Sequence, residues 1–194
     1  TAHTPPPVPE LSPEQAEVMA RLHTARQPVL LFGSTGSGKT EVYLRSVQQL
    51  LDADPQAQAL IMVPEINLTP QLEERFGERF GADGVVAMHS GMTPPQRLAS
   101  WLAAHSGAAR IVLGTRMAVL ASLPHLRLIV VDEEHDPSYK SQEGARYSAR
   151  DLAVYLAKQV NDSHPTPEGQ ASHCRVLLGS ATPSLESWHA SETG

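Results

Sequence analysis

The chain has 194 residues, 41% of them apolar, which is enough for one domain with a proper core and too little for two full lobes. No run approaches the roughly twenty apolar residues of a membrane span, and the formal charge of −6 excludes attraction to nucleic acid by overall charge, leaving local geometry or further parts of a larger protein to supply it. A single cysteine, Cys174, excludes an internal disulfide and a thiolate zinc site; it reads as a small hydrophobe entering a buried strand, in a reducing, intracellular setting.

Residues 1–10, TAHTPPPVPE, are proline-rich and read as a linker or tail. LSPEQAEVMARLH follows as a first helix, with Ser12 as N-cap and Pro13 at its first position. Short apolar runs then recur at 29–32, 59–63, 85–88, 111–113, 128–131 and 176–178, with helical segments at 39–51, 68–80, 94–105 and 148–160. Nearly all-apolar strands alternating with helices predict an α/β fold whose mainly parallel sheet is covered on both faces. Tyr155, on the last of these helices, is expected to pack against the sheet. The polar stretch 161–173, NDSHPTPEGQASH, reads as an exposed loop or disordered insertion within one domain spanning 11–194.

A sheet of this kind holds its ligand at the carboxyl ends of the strands, so the residues directly after each apolar run carry the functional expectation. After 29–32 come Gly33, Ser34, Thr35, Gly36, Ser37, Gly38, Lys39 and Thr40, the spacing of a phosphate-binding P-loop. The glycines let backbone N–H groups close around phosphate oxygens, and the following helix N-terminus adds a favourable dipole. Lys39 is expected to reach the β- and γ-phosphates, with the Thr40 hydroxyl on Mg²⁺. After 128–131 comes the acidic burst Asp132-Glu133-Glu134-His135, in which Asp132 suits Mg²⁺ and Glu133 suits orientation of an attacking water; a solvated turn is the plain alternative.

GSATPS follows 176–178. Ser180 and Thr182 could bond carboxylates or the γ-phosphate, and Thr182 also reads as an N-cap. PEINLTPQ follows 59–63 and GTRMAVL follows 111–113, each placing small or hydroxyl residues where a phosphodiester backbone could be gripped. For Arg116 a surface salt bridge competes with that reading. None of the nine histidines has ligand spacing with a second one, and His89 in HSG reads as a loop residue.

The ordered set GSTGSGKT, VPEINLTPQ, MHSGM, GTRMAVL, VDEEHDPSYKSQEGARYSARDLAVYLA and LLGSATPS resembles the first motor lobe of a superfamily 2 DNA helicase. VPEI-LTPQ, DEEH and the segment after it resemble the PriA family of bacterial primosomal replication-restart helicases. The resemblance covers about residues 11–190 and implies a three-layer, RecA-like P-loop fold. It implies an ATP-dependent DNA helicase with 3′-to-5′ polarity, using ATP and Mg²⁺. Lys39, Asp132 and Glu133 would be catalytic, and Gly33 to Thr40 would hold ATP. Gln15, in LSPEQ, stands where such enzymes often place an adenine-reading glutamine, and equally reads as an ordinary helix-face polar residue. His135, Ser180 and Thr182 would couple hydrolysis to movement.

Pro64, Glu65, Thr115 and Arg116 would face single-stranded DNA. So would Tyr139, Lys140, Arg146 and Tyr147 of the family's aromatic-rich loop, where stacking on bases is tolerant of sequence. Ala145 stands where relatives tend to carry a large aromatic and Ser148 where a histidine is usual, so the platform is expected to be thinner. The implied partners are forked or single-stranded DNA, other primosome proteins and single-stranded DNA-binding protein, in the bacterial cytoplasm. The family's zinc region is expected elsewhere in a longer protein, as is the second lobe with its arginine finger. This piece alone is therefore expected to bind ATP–Mg²⁺ weakly and to hydrolyse it slowly or not at all. The competing expectations are another superfamily 2 translocase of restriction or recombination, and a nucleotide-dependent switch without turnover.

Overall fold

A computed structural model describes residues 10–33, 38–140, 148–163 and 173–181, apart from the side chains of Ser138 and Lys140. The first helix forms where the sequence places it. In α1 (Pro13–Thr24) the Ser12 hydroxyl accepts from the Gln15 N–H at 3.2 Å, and the Gln15 side chain accepts from the Ser12 N–H at 2.8 Å. This reciprocal capping satisfies two donors that a helix start leaves without partners. Thr93 and Gln96 repeat the device at the start of α4 below.

The remaining elements alternate. They are β1 (Val29–Phe32), α2 (Gly38–Ala53), β2 (Gln58–Met62), α3 (Pro70–Phe80), β3 (Val85–Met88), α4 (Pro94–Ser106), β4 (Ile111–Gly114), β5 (Leu126–Val131), α5 (Ala149–Ser163) and β6 (Arg175–Ser180). Short 3₁₀ turns follow the strand ends at Glu65–Asn67, Arg116–Leu120 and Pro137–Lys140. The six strands lie in the order β1-β6-β5-β2-β4-β3, and every neighbouring pair is parallel.

Alternate residues of the central strands point to opposite sides, which accounts for their unbroken apolar runs. Ala59 and Ile61 join Val42, Val47 and Phe76 in a core beneath α1, α2 and α3. Leu60 and Met62 join Ala104, Ala153 and Ala157 in a second core beneath α4 and α5. The expected three-layer α/β architecture is the observed one.

Several details differ from the sequence reading. The second strand begins at Gln58 and ends before Val63. Gln58 is fully buried because its amide spans the layer: Nε2 donates to the carbonyls of Ala104 and Ala109, both at 2.8 Å, and Oε1 accepts from the His125 N–H at 3.0 Å. Helix α5 runs on to Ser163, so the first residues of the expected loop at 161–173 are helical. Asn161 is tied to the start of β6, its Oδ1 accepting from the Cys174 N–H at 2.8 Å. Residues 164–172 lie outside the described ones.

Tyr155 is 61% exposed instead of packed on the sheet. The inward stripe of α5 is Ala149, Ala153 and Ala157, and a residue two positions from that stripe turns to the opposite side. Cys174 is buried as expected, and burial pushes its thiol up to about 12.

Candidate functional site

The strand order sorts the motifs. β1, β6 and β5 are neighbours, so Gly33, Ser180 and Asp132 emerge side by side at one part of the carboxyl edge. The Gly33 N–H donates to the Ser180 carbonyl at 3.1 Å. β2 and β4 are the next pair, which brings the PEINLT and GTR segments together farther along the same edge.

Two glycines of the P-loop pattern lie close to side chains of the site. A Cβ on Gly33 would stand 3.1 Å from the Lys39 side chain, and one on Gly38 would stand 2.5 Å from Gln15 Nε2. The Gln15 amide donates to the Gly38 carbonyl at 3.0 Å while its oxygen caps α1, so it joins the helix start of α1 to that of α2. Ser34, Thr35, Gly36 and Ser37 lie outside the described residues.

Lys39 is 6% exposed, and its ammonium ion-pairs with the first two acidic residues after β5. It bonds Glu133 Oε1 directly and stands 3.6 Å from Asp132 Oδ1. The Asp132 carboxylate is further held by Tyr43, whose hydroxyl donates to Oδ1 at 2.6 Å, and by Asn67, whose amide donates to Oδ2 at 3.4 Å. Burial, and then the charge of Asp132, pushes the Tyr43 phenol well above its ordinary value, so it remains an O–H donor.

Glu133 is the one described non-glycine residue in the left-handed region, at φ 48°. Such a conformation costs about 1–2 kcal/mol, and here it sits at the turn that aims the Glu133 carboxylate at Lys39. The turn is pinned by its neighbours. The Asp132 N–H donates to the Met62 carbonyl at 2.8 Å, and the Glu134 N–H donates to the Gly179 carbonyl at 3.0 Å.

Lys39, Thr40, Tyr43, Asn67, Asp132 and Glu133 all line a cleft of about 480 Å³. The donor set fits Mg²⁺ carried by a nucleotide. That ion takes oxygen ligands and is usually held by one or two protein groups plus phosphates, and Asp132 and Thr40 supply a carboxylate and a hydroxyl. Glu134, 4% exposed, faces away into a pairing with His135 Nε2 at 3.4 Å and Arg150 Nη1 at 3.7 Å. His135 therefore stands on the DEEH turn with its side chain half-exposed.

The residues expected to face DNA divide. Glu65 is exposed, but Pro64 is buried and Thr115 is 6% exposed. Arg116 makes a main-chain contact in place of a surface ion pair: its Nη1 donates to the Tyr139 carbonyl at 2.5 Å. Tyr139 departs most from expectation. Its ring is 2% exposed and its hydroxyl donates to the Asp132 carbonyl at 2.5 Å, so it offers no face to a base in this structure. A short turn directly after DEEH brings the phenol back beneath the strand end. Thr182, Arg146, Tyr147 and the side chain of Lys140 lie outside the described residues. His89 orders its own loop, as expected, by accepting from the Gly91 N–H at 3.2 Å.

The sequence alone assigns no role to Tyr43, Asn67 or Gly179. For Tyr43 the signal was present: it is four residues from Lys39 on a helix, hence on the same face. For Gly179, a Cβ would stand 1.8 Å from the Tyr43 hydroxyl, so the first residue of GSATPS is the space that hydroxyl occupies. No local pattern announces that.

A family model described as DEAD/DEAH box helicase matches residues 12–190. The chain is 44% identical over 186 residues to the replication restart protein PriA of Haemophilus influenzae, covering 95% of this chain and 23% of that protein. It is 41% identical over 165 residues to the PriA of Bacillus subtilis, covering 85% of this chain and 19% of that protein. It thus spans less than a quarter of either relative.

Among solved structures, the DEAD-box helicase Mss116 bound to ssRNA and UDP-BeF superposes with a TM-score of 0.64 at 19% identity, covering 95% of this chain and 38% of that one. The DUF1998 helicase MrfA bound to DNA and AMPPNP gives 0.64 at 18% identity, covering 89% of this chain and 24% of that one. At those identities the likeness is one of fold, and the fold is that of a RecA-like helicase lobe. The chain belongs to the DEAD/DEAH box helicase family.

Proposed function

We propose that this chain is the ATP-binding motor lobe of a DNA helicase that acts at stalled or collapsed replication forks. The observation that carries the reading is the buried Lys39 of the P-loop pattern, ion-paired with Asp132 and Glu133 at the end of the strand two places away in the sheet. A cation held against two carboxylates is poised to transfer to phosphate oxygens. Its departure frees Asp132 to act with Thr40 on a metal and Glu133 to orient a water. Bound Mg²⁺ would neutralise the phosphate charge that develops during hydrolysis. Ser180 and His135 stand beside these groups, in position to pass a change at the site to neighbouring elements.

The name of the PriA relatives, replication restart protein, supports the place of action, and the finer parts of the reading are carried by the family resemblance of the motifs. These are forked or single-stranded DNA as substrate, 3′-to-5′ movement, and association with primosome proteins and single-stranded DNA-binding protein in the cytoplasm. Related helicases hydrolyse ATP between two lobes, the second supplying an arginine finger. On that ground the chain by itself binds ATP–Mg²⁺ weakly and turns it over slowly or not at all. The test is DNA-stimulated ATPase activity of the whole parent protein on forked and linear duplex DNA, with Lys39→Ala as control. Fork-preferring activity lost in the variant is the expected result. Robust turnover by the 194-residue chain alone, or no nucleotide binding by it, would overturn the reading.

A further inference from the structure

Tyr43 occupies a position that its sequence context does not advertise. It lies one turn after Lys39 in α2, is 3% exposed, and spends its hydroxyl on Asp132 Oδ1 at 2.6 Å. The fold makes room for that hydroxyl at a cost to sequence freedom, because position 179 admits no Cβ beside it. Asp132 is gripped elsewhere too: Asn67 reaches Oδ2, the Met62 carbonyl takes its N–H, and the Tyr139 hydroxyl donates to its carbonyl.

Of the groups on the carboxylate, Lys39 is the charged one, and on the nucleotide reading it leaves for phosphate. Tyr43 and Asn67 are neutral donors and have no reason to leave. Each carboxylate oxygen accepts more than one bond, so a neutral donor fixes the group without cancelling the charge a cation needs.

We propose that Tyr43 is a positioning residue for Asp132, holding the carboxylate in place for nucleotide-borne Mg²⁺ after Lys39 has moved away, with Asn67 as a weaker second support. This rests on the nucleotide reading given above. In this role Tyr43 acts through Asp132, whose carboxylate its hydroxyl holds. Its loss therefore weakens the contribution of the metal to binding and spares the contribution of the P-loop.

The experiment compares binding of a fluorescent ATP analogue to the chain in Mg²⁺ and in EDTA, for the wild type, Tyr43→Phe and Asn67→Ala. Phenylalanine keeps the ring and removes the donor. The expected result for Tyr43→Phe is an EDTA affinity within about twofold of wild type and a Mg²⁺-dependent tightening reduced about tenfold, the lower end of the scale of one hydrogen bond to a charged group. Asn67→Ala, half-buried at the rim, is expected to reduce the tightening about twofold. An unchanged tightening in Tyr43→Phe overturns the proposal. A parallel loss of affinity in Mg²⁺ and EDTA also overturns it, since that marks a general packing role. If Tyr43→Phe does not fold, Asn67→Ala decides: reduced tightening supports the cradle and unchanged tightening removes it. Absence of nucleotide binding by the wild type itself would overturn the nucleotide reading and this proposal with it, an outcome distinct from failure of the variant alone.

Discussion

The Arg116 guanidinium donates to the main-chain oxygen of Tyr139 at 2.5 Å, and the Tyr139 hydroxyl donates to the main-chain oxygen of Asp132 at 2.5 Å. A residue of the GTR segment is thereby two bonds from the acidic turn, although the two segments follow strands β4 and β5, which are separated by β2. Because Tyr139 is buried, replacing it with phenylalanine leaves the Asp132 carbonyl without that donor and is expected to cost about 1–2 kcal/mol. Arg116→Ala removes a partly exposed donor and is expected to cost about 1 kcal/mol. Since both act through Tyr139, the double variant should lose less than the two singles together. Urea unfolding of the four chains measures this; strict additivity would mean that the two residues do not communicate.

A second prediction concerns Gly179. Its absent side chain leaves the space that the Tyr43 hydroxyl fills, with the Cβ of any other residue 1.8 Å from that oxygen and 3.1 Å from Asp132 Oδ1. Gly179→Ala should destabilise the chain by about 1–3 kcal/mol through overpacking. Tyr43→Phe removes the nearer of the clashing atoms, so Gly179→Ala should cost less in that background than in the wild type. Thermal unfolding of the two pairs decides, and equal costs in both backgrounds would show that another contact governs position 179.

How much of this was legible in the sequence depends on how local each feature is. The Ser12 N-cap and the acidic end of β5 are written in consecutive residues and stand where the sequence places them. The strands were legible because burial on both faces removes polar residues from them. What could not be read is which strand ends become neighbours. That is why the convergence of Tyr43, Asn67 and Gly179 on Asp132 is not legible, although the helix spacing alone puts Tyr43 on the face of Lys39. The burial of Tyr139 is hidden for a related reason. An aromatic in a basic loop reads as a stacking platform, yet a short turn after Asp136 swings this one into the core.

The Lys39 ion pairs carry a stability prediction that is independent of nucleotide. Lys39 stands between two carboxylates whose side chains are 14% and 19% exposed. Lys39→Ala leaves those charges facing each other with their shared cation gone. Breaking a fully buried pair costs about 3–5 kcal/mol, and the partial exposure here brings the expected loss down to about 2 kcal/mol. Adding Glu133→Gln should recover part of it by removing one of the two charges. Denaturant midpoints of the single and double variants provide the measurement. A Lys39→Ala chain as stable as wild type would show that the pairing adds nothing in the free state.

The last prediction is a pH dependence, and it follows from Glu41, 5% exposed on α2. Its carboxylate meets Arg79 at 3.0 Å and Arg75 at 3.6 Å, both from α3, and Arg45 at 3.1 Å from its own helix. Burial acts to raise the Glu41 carboxyl, but the hydrogen bonds and charges of Arg79 and Arg45 outweigh it and hold it below its ordinary 4.5. The folded state therefore binds this proton less readily than the unfolded chain. The stabilisation is fully present above the ordinary value of 4.5 and is lost as pH falls through the lower folded value. Glu41→Gln keeps the shape and removes the charge. It should be less stable than wild type at pH 7 by about 1–2 kcal/mol, with the gap closing as the pH is taken down into the acid range. Urea unfolding at a series of pH values reads the gap directly. A difference that stays constant across the acid range would mean that Glu41 joins α2 to α3 by shape and hydrogen bonding, with its charge contributing nothing.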